Sequence, residues 1–512
     1  YIVHELTFIH YLRSIENSFV YLIKIRSSKK GNSVEMSPRD DEFVSSSGDN
    51  DVEQAESRNN GVSLGNEPQK DDPVGMSQVA TVSDEKRSTP PGFRFLCCLK
   101  FDNNYNATGW ALDGSARGFL VNSNLYLGFA IVEFAKYAAD PSGLMDASDL
   151  KIYGFKPSSI LTNMQFSVGL ISAILMPLVG SIVDHTPLRW NIGVVTAAIL
   201  VLINGFQIAV YQRLWLTILI MQGAQFLVYT VHNVMQFAYL PELSNNVQIM
   251  TKYNAAFNSI QFGSIFANVL FLFGVVLIYS PTATQLAMVS QTVVTLYIAI
   301  TFGYAWTYCF NRKAPFSSVP EGSNILTVGF KTMYNTARRI AIYEKSLMWL
   351  MISIILSEAV LNSFPVIFVT VMVAWIGLNP REMVTSNLIL LACALPGSAC
   401  SVALAKRFNP KVAQQIALLL WVLSIVLGSL VIYERETPTP YVYVTSILWG
   451  TSYGVIYPCQ RTLWTMIVPP GKSTEFMGYY VFCGKILEWL PSLTFSIMNE
   501  LDVPMNFSLM SL

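Results

Sequence analysis

A stripe of polar side chains runs along one apolar stretch of the chain, residues 221–243. Read as a helix at about 100° per residue, the stripe occupies an arc of about 100°, and its members are Gln222, Gln225, Tyr229, His232, Asn233 and Gln236. A helix in lipid keeps polar groups where they face other protein or water. The stripe therefore predicts a membrane helix that lines a polar cavity and binds a solute there, with hydrogen bonding between helices as the alternative.

Other apolar stretches carry polar side chains at helical spacing and predict further walls of the same cavity. The additional candidates for solute contact are Asn122, Tyr126, Asn258, Gln261, Asn362, Tyr453, Tyr457, Gln460, Arg461 and Lys485. Their amides and phenols could hydrogen-bond a small polar solute. Arg461 or Lys485 could meet a carboxylate, and Glu133 or Glu358 an ammonium group. A simple ion pair between Lys485 and Glu488 is the alternative for that lysine.

Ionisable groups inside apolar segments are candidates for proton coupling, because a charge at membrane depth costs about 3 kcal/mol on insertion scales. Glu358 has no basic residue within a helical turn, so it requires a partner from another segment, such as Lys485, or a protonatable role. We predict that Glu358, together with Glu133 or His232, senses protons. The alternatives are a local Glu133–Lys136 pair and a structural, hydrogen-bonded His232.

The composition indicates what must position these residues. The chain is 52% hydrophobic and 13% charged, whereas soluble domains have about 25% charged residues, so we predict a multi-pass membrane protein in a lipid bilayer. The formal net charge of zero argues against a nucleic-acid partner. There is no Gly-rich phosphate loop, HExxH or GxSxG motif, and no zinc-like CxxC spacing. We therefore predict no enzyme activity, no metal and no cofactor.

Apolar segments recur at the length of membrane-spanning helices, about 20 residues. Eleven spans are predicted, at residues 117–138, 162–183, 191–211, 214–240, 255–280, 284–310, 346–376, 383–405, 412–433, 441–467 and 475–498. The first six form an N-terminal bundle (109–310), a basic cytosolic loop follows (311–345), and the remaining five form a C-terminal bundle (346–512). Residues 1–108 are predicted to be a mostly disordered tail. Lys and Arg are concentrated in loops on one side, which predicts a cytosolic N-terminus.

Two stretches resemble known transporters. Residues 180–189, GSIVDHTPLR, resemble the loop signature of the major facilitator superfamily and keep Gly180, Asp184 and Arg189, while His185, Pro187 and Leu188 depart from it. Residues 467–491, IVPPGKSTEFMGYYVFCGKILEWLP, resemble the vacuole effluxer family, a branch that contains autophagy-related vacuolar amino-acid effluxers. Tyr239-Leu-Pro-Glu-Leu243 and Gly109-Trp110 are similar to the same family. Glu488 and Leu490 depart from its pattern.

The resemblance implies an all-α major facilitator fold with two six-helix bundles, of which the last helix is missing here. It implies a midplane site lined by the first, fourth, seventh and tenth spans, gating roles for Gly180, Asp184 and Arg189, and a monomer. It also implies efflux of amino acids from the vacuole, with the plasma membrane as the alternative location. A transporter of sugars or another organic solute, or a non-transporting sensor on the same fold, remains an alternative.

Overall fold

The computed structural model describes residues 104–142, 150–240, 243, 247–312, 324–435, 437–467 and 473–512. The predicted disordered tail lies outside the described residues as far as residue 103, and its last residues already belong to the first helix. Apart from one β-bridge between Ile152 and Phe155, the described part of the chain is helical or irregular. This confirms the prediction of an all-α membrane protein.

Within the described residues, six long helices precede the central loop. They are α1 (Tyr105–Ala139), α2 (Ile160–His185), α3 (Arg189–Phe206), α4 (Trp215–Phe237), α5 (Val247–Tyr279) and α6 (Ala283–Tyr304), the last continued by a π-helical turn, Ala305–Cys309. Helix α1 begins twelve residues earlier than the predicted span because Asn104 caps it: the Asn104 side chain accepts a hydrogen bond from the Ala107 N–H at 3.1 Å.

The second half contains α7 (Ile325–Tyr343), α8 (Lys345–Thr370), α9 (Pro380–Arg407), α10 (Pro410–Val431), α11 (Thr439–Ile467), α12 (Ser473–Ile486), α13 (Trp489–Glu500) and α14 (Met505–Met510). A π-helical turn, Val371–Ile376, extends α8. Helix α7 lies in the segment predicted as a loop, and the predicted eleventh span is two helices, α12 and α13.

Ten helices in the described residues are long and apolar enough to cross a membrane. They correspond to the predicted spans except the tenth, α11, which has 29 residues but is not among the ten. Its Tyr453, Tyr457, Gln460 and Arg461 lower its mean hydropathy. The same polar residues that made α11 a candidate for solute contact therefore weaken its signal as a membrane span.

Helices α9 and α11 pack backbone against backbone. A Cβ atom at Gly450 would lie 2.1 Å from the Leu390 carbonyl oxygen, and one at Gly454 would lie 2.1 Å from that of Ala394. In membranes, small residues at such crossings permit the close approach from which helix association gains its packing energy. The glycines of α11 therefore set the distance between these helices and fix the helix that carries Tyr453 and Arg461.

We expect Gly450→Ala to destabilise the protein, because the added methyl group collides with rigid backbone and overpacking costs about 1–3 kcal/mol. Thermal unfolding of the detergent-solubilised protein measures the effect. Gly274→Ala is the matched control, since a Cβ there meets nothing within 4 Å. Equal melting temperatures for both variants would contradict the proposed role of this crossing.

Candidate functional site: a polar cavity between the two halves

A cavity of about 310 Å³ lies between helices of both halves of the chain, at the lower end of the range of about 300–1,000 Å³ for small-molecule sites. Side chains of α1, α2, α4, α5, α8, α9, α11 and α12 line it. The four spans expected from the resemblance, which are α1, α4, α8 and α11, all contribute. The cavity therefore has the position that alternating access requires, between two bundles.

The polar stripe of α4 divides between two environments. Gln222, Tyr229 and Asn233 line the cavity, whereas Gln225, His232 and Gln236 face neighbouring helices. Gln225 Nε2 donates to Asn204 Oδ1 at 3.2 Å, and Gln236 Nε2 donates to the Trp110 carbonyl at 2.9 Å. An arc of about 100° is wide enough to face the cavity on one edge and α1 or α3 on the other. Lining of the cavity and hydrogen bonding between helices overlap in the stripe, because Gln222 Nε2 also donates to the Asn124 carbonyl of α1 at 3.1 Å and Asn233 Oδ1 accepts from Arg117 Nη1.

Asn122, on α1, lines the cavity beside α9, and Tyr126 lies just behind it, fully buried. Asn387 of α9 joins them: its Nδ2 donates to Asn122 Oδ1 at 3.0 Å and to the Tyr126 hydroxyl at 2.9 Å. Asn258 and Gln261 of α5 also line the cavity. Sequence reasoning missed Asn387 because its helix shows no polar face, so no periodicity singled it out.

Glu358 lies in the cavity wall and is 8% exposed. Its Oε1 accepts a hydrogen bond from Gln460 Nε2 at 2.8 Å, and its Oε2 accepts one from Asn362 Nδ2 at 3.3 Å. Asn362 lines the cavity, whereas Gln460 lies behind the wall. The predicted partner of Glu358, Lys485, forms its salt bridge with Glu488 instead, at 2.8 Å. Neutral groups therefore hold the Glu358 carboxylate by hydrogen bonds, the Tyr480 hydroxyl among them at 3.5 Å, and no cation forms a salt bridge with it in the described part of the chain.

Arg461 lines the cavity from α11, together with Tyr453 and Tyr457. Its Nη1 donates to Asn258 Oδ1, and its guanidinium carbon lies 6.0 Å from the centre of the Tyr457 ring. Among the residues the structure describes, no carboxylate forms a salt bridge with Arg461. Arg461 and Glu358 thus lie in the same cavity wall as opposite charges that act on each other electrostatically, but neither forms a salt bridge within the described residues.

Glu133, another predicted proton-coupling residue, is exposed and does not line the cavity. Its neighbour Lys136 donates to the Val373 carbonyl at 2.9 Å, which joins α1 to the turn after α8. Of the three carboxylate and histidine candidates for proton coupling, Glu358 is the one in the cavity wall, and His232 lies behind it.

Two charged residues of α1 that sequence reasoning missed complete the site. Arg117 lines the cavity, and its Nε donates to Asp113 Oδ2 at 3.1 Å. Asp113 is fully buried. The predicted first span began at residue 117, which placed Asp113 before the membrane. The signal that could have found this pair is its i,i+4 spacing on an apolar helix that continues upstream.

The predicted gating residues lie where α2 meets α3. Arg189 is buried; its Nη1 donates to the Ala238 carbonyl at 3.0 Å, and its guanidinium lies 4.8 Å from the centre of the Tyr239 ring. It therefore ties the start of α3 to the end of α4. Asp184 is exposed, and a Cβ at Gly180 would lie 3.8 Å from Met333 of α7. Their role in gating stays a prediction.

Polar contacts join the two halves on the side that the loop charges predict to face the lumen. Lys156 Nζ donates to the Asn499 carbonyl at 2.8 Å and pairs with Asp502. Asn499 Nδ2 donates to Ser158 Oγ at 2.8 Å and to Ser159 Oγ at 2.7 Å. These contacts connect the turn before α2 to the end of α13, so they restrict opening of the cavity on this side.

We expect Asp502→Asn to increase luminal access to the cavity. Labelling of a cysteine placed at Asn122 by a membrane-impermeant maleimide measures that access. The hydrogen bond and charge of Lys156 lower the pKa of Asp502 below its ordinary value. The Lys156–Asp502 salt bridge is therefore fully formed at any pH above the ordinary pKa of aspartate, and it is lost only as the pH falls through the lowered pKa of Asp502. We expect the salt bridge to persist at mildly acidic pH. Glu434→Gln is the control, and equal labelling of both variants would contradict this role.

Comparisons with known proteins agree with this architecture. The family model described as "Vacuole effluxer Atg22 like" matches residues 156–512. No curated protein matches the chain. Similar solved structures include the human organic anion transporter MFSD10 (TETRAN), with 14% identity over 80% of this chain and 98% of that chain and a TM-score of 0.53.

Two further solved transporters have a comparable likeness. The partially occluded, inward-open xylose transporter XylE from E. coli is 12% identical over 79% of this chain and 95% of that chain, with a TM-score of 0.53. A point mutant of the nucleoside transporter NupG is 12% identical over 78% of this chain and 96% of that chain, with a TM-score of 0.50. At these identities the likeness shows the fold alone. Because the family model matches residues 156–512, which are more than half of the chain, the chain belongs to the vacuole effluxer Atg22-like family, and it is a multi-pass membrane protein with the fold of the major facilitator transporters.

Proposed function

We propose that the protein transports amino acids by alternating access through this cavity. The observation that carries the proposal is the presence of Glu358 and Arg461 in one cavity wall, with neither in a salt bridge in the described residues. An amino acid supplies both missing partners, because its ammonium group can meet Glu358 and its carboxylate can meet Arg461. Such charge-assisted hydrogen bonds are among the stronger polar interactions in proteins.

The other charges of the wall support this assignment because they already have partners. Arg117 is bound to Asp113 at 3.1 Å, and Lys485 to Glu488 at 2.8 Å. A charge in a membrane protein is costly unless it is paired or faces a wet cavity. A bound zwitterion would therefore satisfy the two remaining charges without adding net charge to the cavity.

Unpartnered amide atoms add hydrogen-bonding capacity for the solute. Asn122 Nδ2 and Gln222 Oε1 are buried without a hydrogen-bond partner in the described part of the chain, and both side chains line the cavity. Buried polar atoms in proteins are almost always hydrogen-bonded. Their position suggests that solute or water completes these bonds during transport.

Apolar residues supply much of the remaining wall and favour neutral side chains on the solute. They include Leu361, Phe364, Phe368 and Val369 of α8 and Leu390 and Leu391 of α9. A charged solute side chain placed against this surface would lose its hydration without gaining a partner. We therefore propose neutral, mainly apolar amino acids as the solutes.

The family's description supports the vacuolar membrane as the location and efflux to the cytosol as the direction. Glu358 is the proposed proton-coupling group, because it is the acidic member of the wall without a salt bridge in the described residues and can exchange its proton through the cavity. Proton and ammonium would then compete for the same carboxylate. The protein would act as a monomer, with each chain enclosing its own cavity.

Uptake of radiolabelled amino acids into proteoliposomes, with and without a pH gradient, tests the proposal. We expect saturable flux of neutral amino acids that is inhibited by other neutral amino acids and not by sugars. Inhibition by neutral sugars alone would favour a second candidate, a sugar transporter, because the amide and phenol groups of the wall also suit hydroxyl groups. Solute binding without flux would favour a sensor.

A further inference from the structure

Behind the cavity wall, α1, α3, α4 and the turn after α6 enclose a hydrogen-bond network centred on Asp113 and His232. Both side chains are 0% exposed. Asp113 Oδ1 lies 2.9 Å from His232 Nε2 and accepts a hydrogen bond from Trp306 Nε1 at 2.8 Å. His232 Nδ1 lies 2.8 Å from the Thr196 hydroxyl. The ring therefore has a polar partner at each nitrogen.

The Thr196 hydroxyl can serve either protonation state of His232 without any heavy atom moving. It lies 2.8 Å from the Ile192 carbonyl as well as 2.8 Å from His232 Nδ1. When the imidazole is neutral, the hydroxyl donates to Nδ1 and Nε2–H donates to Asp113. When a proton from water adds to the Nδ1 lone pair, the hydroxyl turns to donate to the Ile192 carbonyl and accepts from Nδ1–H.

Tight packing holds this geometry in place. The His232 ring centre lies 5.0 Å from that of Phe302 and 5.4 Å from that of Trp306. A Cβ at Gly193 would lie 2.0 Å from the Trp306 ring, so Trp306 rests directly on the backbone of α3. The network is thus preorganised, and its proton occupancy can change without repacking of the bundle.

Among the described residues, the charged groups that face His232 come from α1. They are Asp113, which it contacts, and Arg117, which Asp113 joins to the network. The contacts described from α3 and from α6 and its turn are Thr196, Phe302 and Trp306, which carry no charge. With a neutral imidazole the charges of Asp113 and Arg117 cancel. With an imidazolium the network has a net charge of +1.

Arg117 connects this network to the cavity. Its Nε donates to Asp113, and its Nη1 donates to Asn233 Oδ1. Arg117 and Asn233 both line the cavity. When His232 is protonated, Asp113 interacts with the imidazolium and neutralises less of the Arg117 charge. The Arg117 guanidinium then makes the electrostatic potential in the cavity more positive.

We propose that Asp113 and His232 form a proton-binding site, distinct from Glu358, that is coupled through Arg117 to binding of a carboxylate in the cavity. The coupling rests on the proposed function only in that the solute carries a carboxylate. Because coupling between two binding events is reciprocal, a carboxylate in the cavity favours the protonated imidazole. Protons on the predicted cytosolic side would then promote solute binding.

Histidine-selective ¹⁵N NMR of the detergent-solubilised protein tests the proton site directly, because the chain has four histidines. His232→Gln identifies the signal. Should that variant fail to fold, a chain with His4, His10 and His185 replaced by Gln leaves the His232 signal alone. We expect the ring nitrogens of His232 to bind and release a proton reversibly over the pH range scanned. We expect the protonated form to disappear over this range in Asp113→Asn, which lacks the carboxylate that stabilises the imidazolium.

Acetate, with acetamide as the uncharged control at equal ionic strength, tests the coupling without relying on amino-acid transport. We expect acetate to raise the midpoint of the His232 titration and acetamide to leave it unchanged, and we expect Arg117→Gln to remove the acetate effect. A His232 signal that stays in one form over the whole range would overturn the proton site. A titration that acetate does not move would overturn the coupling. Absence of amino-acid flux in proteoliposomes would instead overturn the proposed function and leave both NMR outcomes interpretable.

Discussion

Arg461→Gln should lower kcat/KM for amino-acid transport by about 10- to 100-fold. The variant removes the guanidinium proposed to bind the solute carboxylate, and a hydrogen bond to a charged group contributes about 1.5–3 kcal/mol. Arg461 has no salt-bridge partner in the described residues to lose, so the variant should retain its fold. Arg461→Lys should recover only part of the activity, because the ammonium group cannot reproduce the bidentate geometry of arginine.

Initial rates of uptake into proteoliposomes over a range of amino-acid concentrations measure this effect. Arg407→Gln is the matched control, because Arg407 is an exposed arginine at the end of α9 that lies against Phe408 and does not line the cavity. Thermal unfolding shows whether each variant is folded. If Arg461→Gln transported amino acids as well as Arg407→Gln does, the solute carboxylate would have to bind elsewhere.

Glu358→Gln should have two effects. It should lower kcat/KM for amino acids by about 10- to 100-fold, since the ammonium group loses its anionic partner at a cost of about 1.5–3 kcal/mol. It should also make the remaining flux less dependent on pH, because the amide does not titrate. Gln460 Nε2 can still donate to the amide oxygen of the new side chain, so the local hydrogen bond to α11 is retained.

Uptake measured from about pH 5 to 8, the range in which vacuolar and cytosolic protons would act, tests both effects. A solute with a hydroxyl group in place of the ammonium group should lose little affinity in the variant, which separates loss of charge recognition from loss of fold. Glu344→Gln is the control, because Glu344 is exposed and precedes α8 without capping it through its side chain. Unchanged pH dependence in Glu358→Gln would exclude Glu358 as the proton-coupling group and leave the His232 site.

The positions of the helices could be predicted well from the sequence, because a membrane span must satisfy its backbone internally and therefore requires a long apolar segment. The predicted and observed helices differ where polar side chains interrupt the apolar segment. Helix α7 lies in a segment rich in basic residues, and α12 and α13 join beside Glu488, where the apolar run is broken. The predicted start of the first span, residue 117, was wrong because the charged residues Asp113 and Arg117 indicate the end of an apolar segment when their pairing is not known.

The candidate site was only partly predictable, for a geometric reason. Periodicity assigns residues to a face of a helix, but it does not say whether that face meets a cavity or another helix. Gln222 and Gln225 belong to one arc, yet Gln222 lines the cavity while Gln225 donates to Asn204 of α3. Asn387, which joins the two halves, has no periodic signal at all because a single polar residue suffices for its role.

The sequence by itself determined that this is a helical membrane protein, which family it resembles and which helices carry polar groups, since each of these follows from local composition and short motifs. The tertiary structure alone decided which charges face the cavity without a salt bridge in the described residues. Lys485 binds Glu488, Arg117 binds Asp113, and Glu358 and Arg461 are left facing the cavity. The two salt bridges are local, with i,i+3 and i,i+4 spacing. Which charges face the cavity depends on distances between helices that are remote in the chain, and those distances are set by packing contacts that no single segment encodes.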